Sequence, residues 1–314
     1  MTTMTVRPIR DDLSFGARVG GVTLDTLDDP DERHRLNQAF DDHGLLIFED
    51  VDPTPKMQVA ISTVFGPLKD HPSTATPRAG GDDMVGVIEI RHRPNEGGVI
   101  RLDGRQLSQW LPWHFDHCYN DQLNRAGVLR AVEIPPDGGM TGFVDGIALY
   151  GAVSPEVRDQ IEGEMVIYAM DVILDNLRFG RPSTLVELHT SPQAEDVMAE
   201  FRDRPRAIHP AVWTRRTGEK VLHVSPWMAK GIEGRDDAEA DALLTEICDE
   251  IVEAAKGLCY FHRWEPTDMV IWDNWRILHS VSGSAPEHGR CMHRTTIAGD
   301  YGLGRFEETL AGQA

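Results

Sequence analysis

Basic residues are scarce in this chain of 314 residues. Thirty-one Lys and Arg stand against 51 Asp and Glu, a formal net charge of −20 at pH 7. Nucleic-acid binding is driven by positive surface, so this balance argues against a nucleic-acid partner. It also requires any anionic ligand to be caught by a local group of arginines. Cysteine is sparse too: Cys118, Cys248, Cys259 and Cys291 lie far apart with no Cys-x-x-Cys, which suits reduced thiols in a cytosol better than disulfides or a zinc knuckle. Cys118 reads as a small buried hydrophobe. No apolar run approaches the ~18 residues of a membrane span. The start, Met1-Thr2-Thr3-Met4-Thr5-Val6-Arg7-Pro8, has no basic end leading into an apolar stretch and no cleavage site, so neither secretion nor membrane insertion is expected, and a cytoplasmic location is. There is no internal repeat and no low-complexity tract.

What is present is a series of short elements. A helix is predicted from about Asp31 to His43, with Leu36 and Phe40 on one side, stopped by Gly44 before the apolar strand Leu45-Leu46-Ile47-Phe48. Pro53-Thr54-Pro55 opens a second helix that Gly66-Pro67 ends. Residues 13–24 alternate around glycines as a bent strand pair would. From His71 to Pro112 the chain reads as irregular apart from a strand near Val85–Arg91. Strands at Val128–Ile134 and Thr141–Val144 flank the turn Pro135-Pro136-Asp137-Gly138-Gly139. Ser154-Pro155-Glu156 starts a short helix before a strand Met165–Met170. Strands resume at Ala207–Thr214 and Lys220–Val224. The longest helical pattern, Asp236–Gly257, carries the stripe Leu243, Leu244, Ile247, Ile251 and Ala255. Strands follow at Leu258–Trp264, Met269–Asp273, Ile277–Val281 and Arg290–Ala298. Many short strands with few helices predict a mainly β, double-sheet architecture with flanking helices, in one domain over 1–314. Segments 91–112 and 171–206 are expected to be lids or inserts, because long irregular connections are usually functional or mobile.

The chemistry centres on Trp113-His114-Phe115-Asp116. As a strand, its period of two points His114 and Asp116 to one side. An imidazole and a carboxylate there make two-thirds of the two-His-one-carboxylate set that holds non-haem Fe(II) with positions left open. The spacing alone is weak: composition predicts roughly two His-x-Asp/Glu matches by chance, and the chain has this one. A third ligand must come from far away, and His279 on the apolar strand beginning at Ile277 is the best candidate. Beyond it, Arg290, Met292 and Arg294 share one face of a strand. Two arginines together in a core are costly without anions, so they imply one or two carboxylates beside them.

The order His114-x-Asp116, Thr141, His279, Arg290, with 24, 137 and 10 residues between successive members, resembles the taurine and 2,4-dichlorophenoxyacetate dioxygenase family of Fe(II)/2-oxoglutarate-dependent dioxygenases. Phe15-Gly16-Ala17-Arg18-Val19-Gly20-Gly21-Val22, Gly44-Leu45-Leu46-Ile47-Phe48, Phe65-Gly66-Pro67, Gly138-Gly139-Met140-Thr141, Trp272-Asp273-Asn274 and Arg294-Thr295-Thr296 match as well, so the resemblance spans nearly the whole chain. It implies a double-stranded β-helix (jelly-roll) core. It also implies Fe(II) on His114, Asp116 and His279, 2-oxoglutarate with its far carboxylate on Arg290 and Thr141, and O2 as oxidant. The implied reaction is oxidation of a C–H bond of a small organic substrate, hydroxylation first, with release of succinate and CO2. Arg294 matches a position that meets the substrate's anionic group in family members, and His71 lies near a substrate-contacting histidine of the taurine enzymes. The chain departs from those relatives at Gln109-Trp110-Leu111-Pro112. Trp110, Tyr119 and 171–206 are therefore candidate walls for a larger, partly apolar or aromatic anion. The surroundings of His71 differ from those of the taurine enzymes, and His71, His117 and His293 read first as ordinary packing or surface histidines; a homodimer or tetramer is expected.

Two other function classes compete. A metal-binding barrel without oxygenase chemistry, such as a small-molecule sensor or an inactivated relative, whether or not it binds 2-oxoglutarate, is disfavoured by the intact Arg290 and Thr141, because a sensor need not keep a 2-oxoglutarate clamp. A zinc hydrolase on the same ligands would want a further Glu base, as in His-Glu-x-x-His, which is absent.

Overall fold

Successive residues of the central strands pack on opposite sides and so build two facing sheets. In Leu45–Phe48, Leu45 and Ile47 join a cluster with Phe143, Trp272 and Ile277, while Leu46 and Phe48 join another with Leu36, Phe40, Met57 and Ile61. Met269–Asp273 divides in the same way, Val270 and Trp272 against Met269 and Ile271. These strands are apolar throughout because one face meets the other sheet and the opposite face meets the helices Pro30–His43 and Pro55–Phe65. The computed structural model describes residues 4–80 and 86–307; Met1–Thr3 and Val85, the start of one predicted strand, lie outside them.

The seven-stranded sheet runs Thr5–Pro8, Ala17–Gly20, Leu45–Phe48, Met269–Asp273, Ala126–Glu133, Arg290–Ile297, Val87–His92. The six-stranded sheet runs Val186–His189, Val99–Leu102, Arg105–His114, Ile277–Ser284, Thr141–Asp145, Tyr260–His262. Pairing within them is antiparallel except between Ala17–Gly20 and Leu45–Phe48. This is the jelly-roll core the sequence implied. On the far side of the six-stranded sheet, Ala238–Leu258 buries all five stripe residues, with Asp237 as its N-cap.

Three expectations change. Residues 13–24 do not form a strand pair: Ala17–Gly20 pairs with the earlier Thr5–Pro8, and Leu24–Asp28 is a helix held by the Thr23/Thr26 capping box. Residues 91–112, read as irregular, contain a hairpin, Val99–Leu102 with Arg105–His114, around Asp103-Gly104. Arg101, Arg105 and Gln106 face solvent around its tip, which hid the alternation. Residues 171–206 also have structure, with a strand Val186–His189 and a helix Pro192–Phe201 capped by Ser191.

Asp145 links the sheets to the helices. It caps Gly146–Ala152 and forks Arg276 at 2.8 and 2.9 Å, both side chains being buried. Asp145→Ala is expected to lower stability by ~3–5 kcal/mol, because it leaves a buried guanidinium unpaired. The urea midpoint reports it.

Candidate functional site

His114 ends the strand Arg105–His114 and is the register partner of His279 on Ile277–Ser284, so the two imidazoles lie side by side, ring centroids 4.0 Å apart. The strand expected to run through Asp116 stops at His114, and the chain turns at Asp116. Asp116 still reaches the histidines because the turn is tied down. Asn274 Oδ1 accepts from the Asp116 amide at 2.7 Å, and Asn274 Nδ2 donates to the Asp116 carbonyl at 3.0 Å. His209 Nε2 donates to the carbonyls of Cys118 and Asn120, and His223, stacked 3.9 Å from Phe115, donates to the Asn274 carbonyl.

Donor atoms of His114, Asp116 and His279 lie within 4.8 Å of one another, and all three residues are buried. His114 Nδ1 donates to the Pro112 carbonyl at 2.8 Å, which leaves Nε2 with its lone pair. Two imidazoles and a carboxylate converging in this way fit a divalent transition metal. Burial drives both histidines toward the neutral form that ligation needs. Burial also pushes the Asp116 carboxyl up, but the Arg294 guanidinium and then His279 outweigh it and hold the group below the usual carboxylate range.

The triad sits in the wall of a chamber of about 390 Å³ that also exposes Thr141, Arg290, Arg294, His71 and Tyr119. Arg290 is buried and has no carboxylate partner among the described residues. It donates to the Gly139 carbonyl at 3.2 Å and to Gln109 Oε1 at 3.1 Å, and burial brings its pKa down to about 10. The close approach at Gly139 needs glycine: φ is +64°, and a Cβ would stand 2.6 Å from Pro135. Thr141 Oγ1 accepts from Trp264 Nε1 at 3.2 Å. Arg294 already has its anion, reaching both oxygens of Asp116 at 2.7 and 2.9 Å.

Trp110 does not line the chamber; its neighbours Gln109 and Leu111 do, because a register shift between Leu111 and His114 and the left-handed backbone at Gln109 break the alternation that would put Trp110 on the face of His114. His71 is on the wall, with Nδ1 accepting from the Ser73 amide at 3.1 Å and its pKa brought down to about 4 by burial and then by Arg294. His117, expected to be ordinary, is buried at the chamber with neither ring nitrogen bonded among the described residues. Gln109, Trp227 and Met228 were also missed; no motif marks them, and left-handed backbone at Gln109 and Met228 sets their direction. A second group able to converge on a metal, Glu89, Cys291 and His293, lies behind the seven-stranded sheet. Two cations already occupy it, since Arg91 forks Glu89 and Arg130 donates to His293 Nδ1.

The histidines under the turn carry a pH cost. Burial lowers His209 to about 4 and His223 to about 3, below the ~6.5 of an unfolded chain. Stability is therefore complete above pH ~6.5 and falls as the pH drops toward 3, because the unfolded chain takes up the protons first. Urea midpoints are expected to fall between pH 6.5 and 4.5, and His223→Gln is expected to flatten that slope.

The profile of the family described as "Taurine catabolism dioxygenase TauD, TfdA family" matches residues 5–296. The chain belongs to this family. Among relatives of this TauD/TfdA member, the (S)-phenoxypropionate/α-ketoglutarate dioxygenase of Sphingobium herbicidovorans is 28% identical over 92% of this chain and 93% of its own. The pentalenolactone F synthase of Streptomyces arenae is 29% identical over 94% of each. The α-ketoglutarate-dependent 2,4-dichlorophenoxyacetate dioxygenase of Cupriavidus pinatubonensis is 27% identical over 84% of this chain and 88% of its own. The fold is shared with a taurine dioxygenase from Burkholderia xenovorans, with a TM-score of 0.69, 23% identity, and 98% and 97% of the two chains covered. It is shared too with AAD-2, solved in complex with Mn(II) and N-oxalylglycine, with a TM-score of 0.67, 23% identity, and 95% and 98% covered. The protein is thus a 2-oxoglutarate-dependent dioxygenase, an oxidoreductase of a family that uses iron and O2.

Proposed function

We propose that His114, Asp116 and His279 hold Fe(II), that Arg290 and Thr141 receive the far carboxylate of 2-oxoglutarate, and that the chamber oxidises a C–H bond of a small, partly apolar or aromatic acid. The observation that carries the reading is Arg290, a buried guanidinium with no acid of its own among the described residues, lining the same chamber as three converging metal donors. Fe(II) with 2-oxoglutarate and O2 supplies the oxidising power, releasing succinate and CO2. The protein's work is placement and exclusion of water. Arg290 and Thr141 orient the cosubstrate, and Leu111, Met170, Val172, Leu174, Val197 and Trp227 give the substrate an apolar enclosure.

The substrate's acid is assigned to the Arg294 and His71 side. Each terminal nitrogen of Arg294 keeps a second N–H after binding Asp116. His71, whose Nδ1 accepts from Ser73, offers an Nε2 proton. Tyr119 adds wall. The relatives named for phenoxypropionate and 2,4-dichlorophenoxyacetate support an aryloxy acid. The chain works as one catalytic domain in which 171–206 covers the chamber and the 99–114 hairpin forms its side, in a cytoplasmic homo-oligomer acting on small molecules.

Anaerobic addition of 2-oxoglutarate to the Fe(II) protein is expected to give a visible charge-transfer band, and 2-phenoxypropionate is expected to stimulate succinate release. A protein that binds Fe(II) yet shows no band would sink the oxygenase reading. Turnover unchanged when the carboxylate is replaced by a methyl ester would sink the acid assignment.

A further inference from the structure

Glu200 lies outside the iron-site wall yet ties together two segments that line the chamber. Its side chain projects from the helix Pro192–Phe201, one turn beyond Val197 and two beyond Gln193, on the face those chamber-lining residues share. Its carboxylate accepts from Ser73 Oγ at 2.8 Å, from the Thr74 amide at 3.1 Å and from the Ala75 amide at 3.3 Å. Arg204, on the next turn, donates to Oε1 at 3.1 Å. One carboxylate therefore caps three donors of a loop that is more than 120 positions away in sequence.

That loop matters because it carries His71, Ser73 and Thr76 into the chamber. The chain of contacts is continuous. Glu200 holds the Ser73 hydroxyl, the Ser73 amide holds His71 Nδ1, and Arg78 spans to the carbonyls of His71 and Ser73 from the other side. Ser73 is buried, so without Glu200 its hydroxyl and two neighbouring amides lose a charged acceptor that water would have to replace. No other side chain of the Pro192–Phe201 helix hydrogen-bonds the 71–76 loop among the described residues.

We propose that Glu200 is a positioning residue: it latches the 192–201 helix to the 71–76 loop, sets the direction of the His71 ring, and holds the chamber closed over bound substrate. Resting on the acid-oxidising reading above, it assigns to this carboxylate the coupling of 2-oxoglutarate consumption to substrate oxidation. A loosened latch admits water and lets the substrate shift while leaving the iron and cosubstrate side chains in place.

The test compares wild type, Glu200→Gln and Glu200→Ala as full chains. Backbone amide exchange around Thr74 and Ala75 is measured on metal-free protein. KM, kcat and succinate formed per 2-phenoxypropionate oxidised are measured on the Fe(II) enzyme. Glu200→Ala is expected to speed exchange at those amides about tenfold or more, raise KM for the substrate about tenfold, and lower coupling, with substrate-free 2-oxoglutarate turnover unchanged. Glu200→Gln, which keeps one carbonyl acceptor, is expected to fall between. Unchanged exchange overturns the proposal. So does faster exchange with unchanged KM and coupling, which would make Glu200 structural only. A wild type that releases no succinate defeats the functional reading instead, and amide exchange then decides the latch alone.

Discussion

Asp116→Ala is expected to abolish divalent-metal binding and turnover, and also to destabilise the metal-free protein by ~3–5 kcal/mol. The two losses have separate causes. The first removes one of three converging donors, and the remaining histidine pair cannot close the set. The second leaves Arg294 buried with both terminal nitrogens facing a missing carboxylate. The double variant Asp116→Ala/Arg294→Met is therefore expected to regain most of the lost stability while staying unable to bind metal, because it removes the stranded charge and fills its volume. Mn(II) titration followed by electron paramagnetic resonance, together with urea midpoints, separates the two effects. Wild-type Mn(II) affinity in Asp116→Ala would contradict the ligand assignment, and a double variant no more stable than the single would contradict the ion-pair argument.

Arg290→Ala should behave in the opposite way. This guanidinium is buried without a counter-charge and bonds only to a carbonyl and an amide oxygen among the described residues, so the apo protein carries its desolvation cost. Removal is expected to change apo stability by less than ~2 kcal/mol in either direction, since two neutral-acceptor bonds are lost while that cost is relieved. The KM for 2-oxoglutarate is expected to rise about 10²–10³-fold, roughly the 2–5 kcal/mol of a truncated buried charge pair. Arg290→Lys is expected to restore little, because a single ammonium cannot fork a carboxylate. Succinate release against 2-oxoglutarate concentration, read beside thermal melting of apo protein, checks both parts. A variant that melts far lower with an unchanged KM would make Arg290 a structural residue.

Arg290 and Arg294 show how far local pattern reaches. Their period-two spacing put both on one inward face and required anions beside them, and both are buried at the chamber. Spacing could not say which arginine already had its anion. That depends on Asp116, brought alongside by a turn that Asn274, His209 and His223 fasten from distant segments. The same limit explains Trp110: the neighbourhood was right, but the face was not, because Gln109 takes a left-handed backbone that no motif announces.

The chain by itself carried the family assignment: His114, Asp116, Thr141, His279 and Arg290 are side chains whose types, order and spacing together are distinctive. Pattern alone reached a mainly β, double-sheet architecture with flanking helices; runs such as Leu45–Phe48 and Met269–Asp273 read as doubly buried strands without saying how they pair, and the jelly roll was implied by the family resemblance. The tertiary structure alone decided the chamber wall. The placement of hairpin 99–114 beside Ile277–Ser284, of His117 beside His71 and of helix 192–201 on the 71–76 loop through Glu200 depends on contacts between segments tens to more than a hundred residues apart. The physical reason is that a ligand set is written in residue identity, whereas a cavity is the space left between elements and has no local signature.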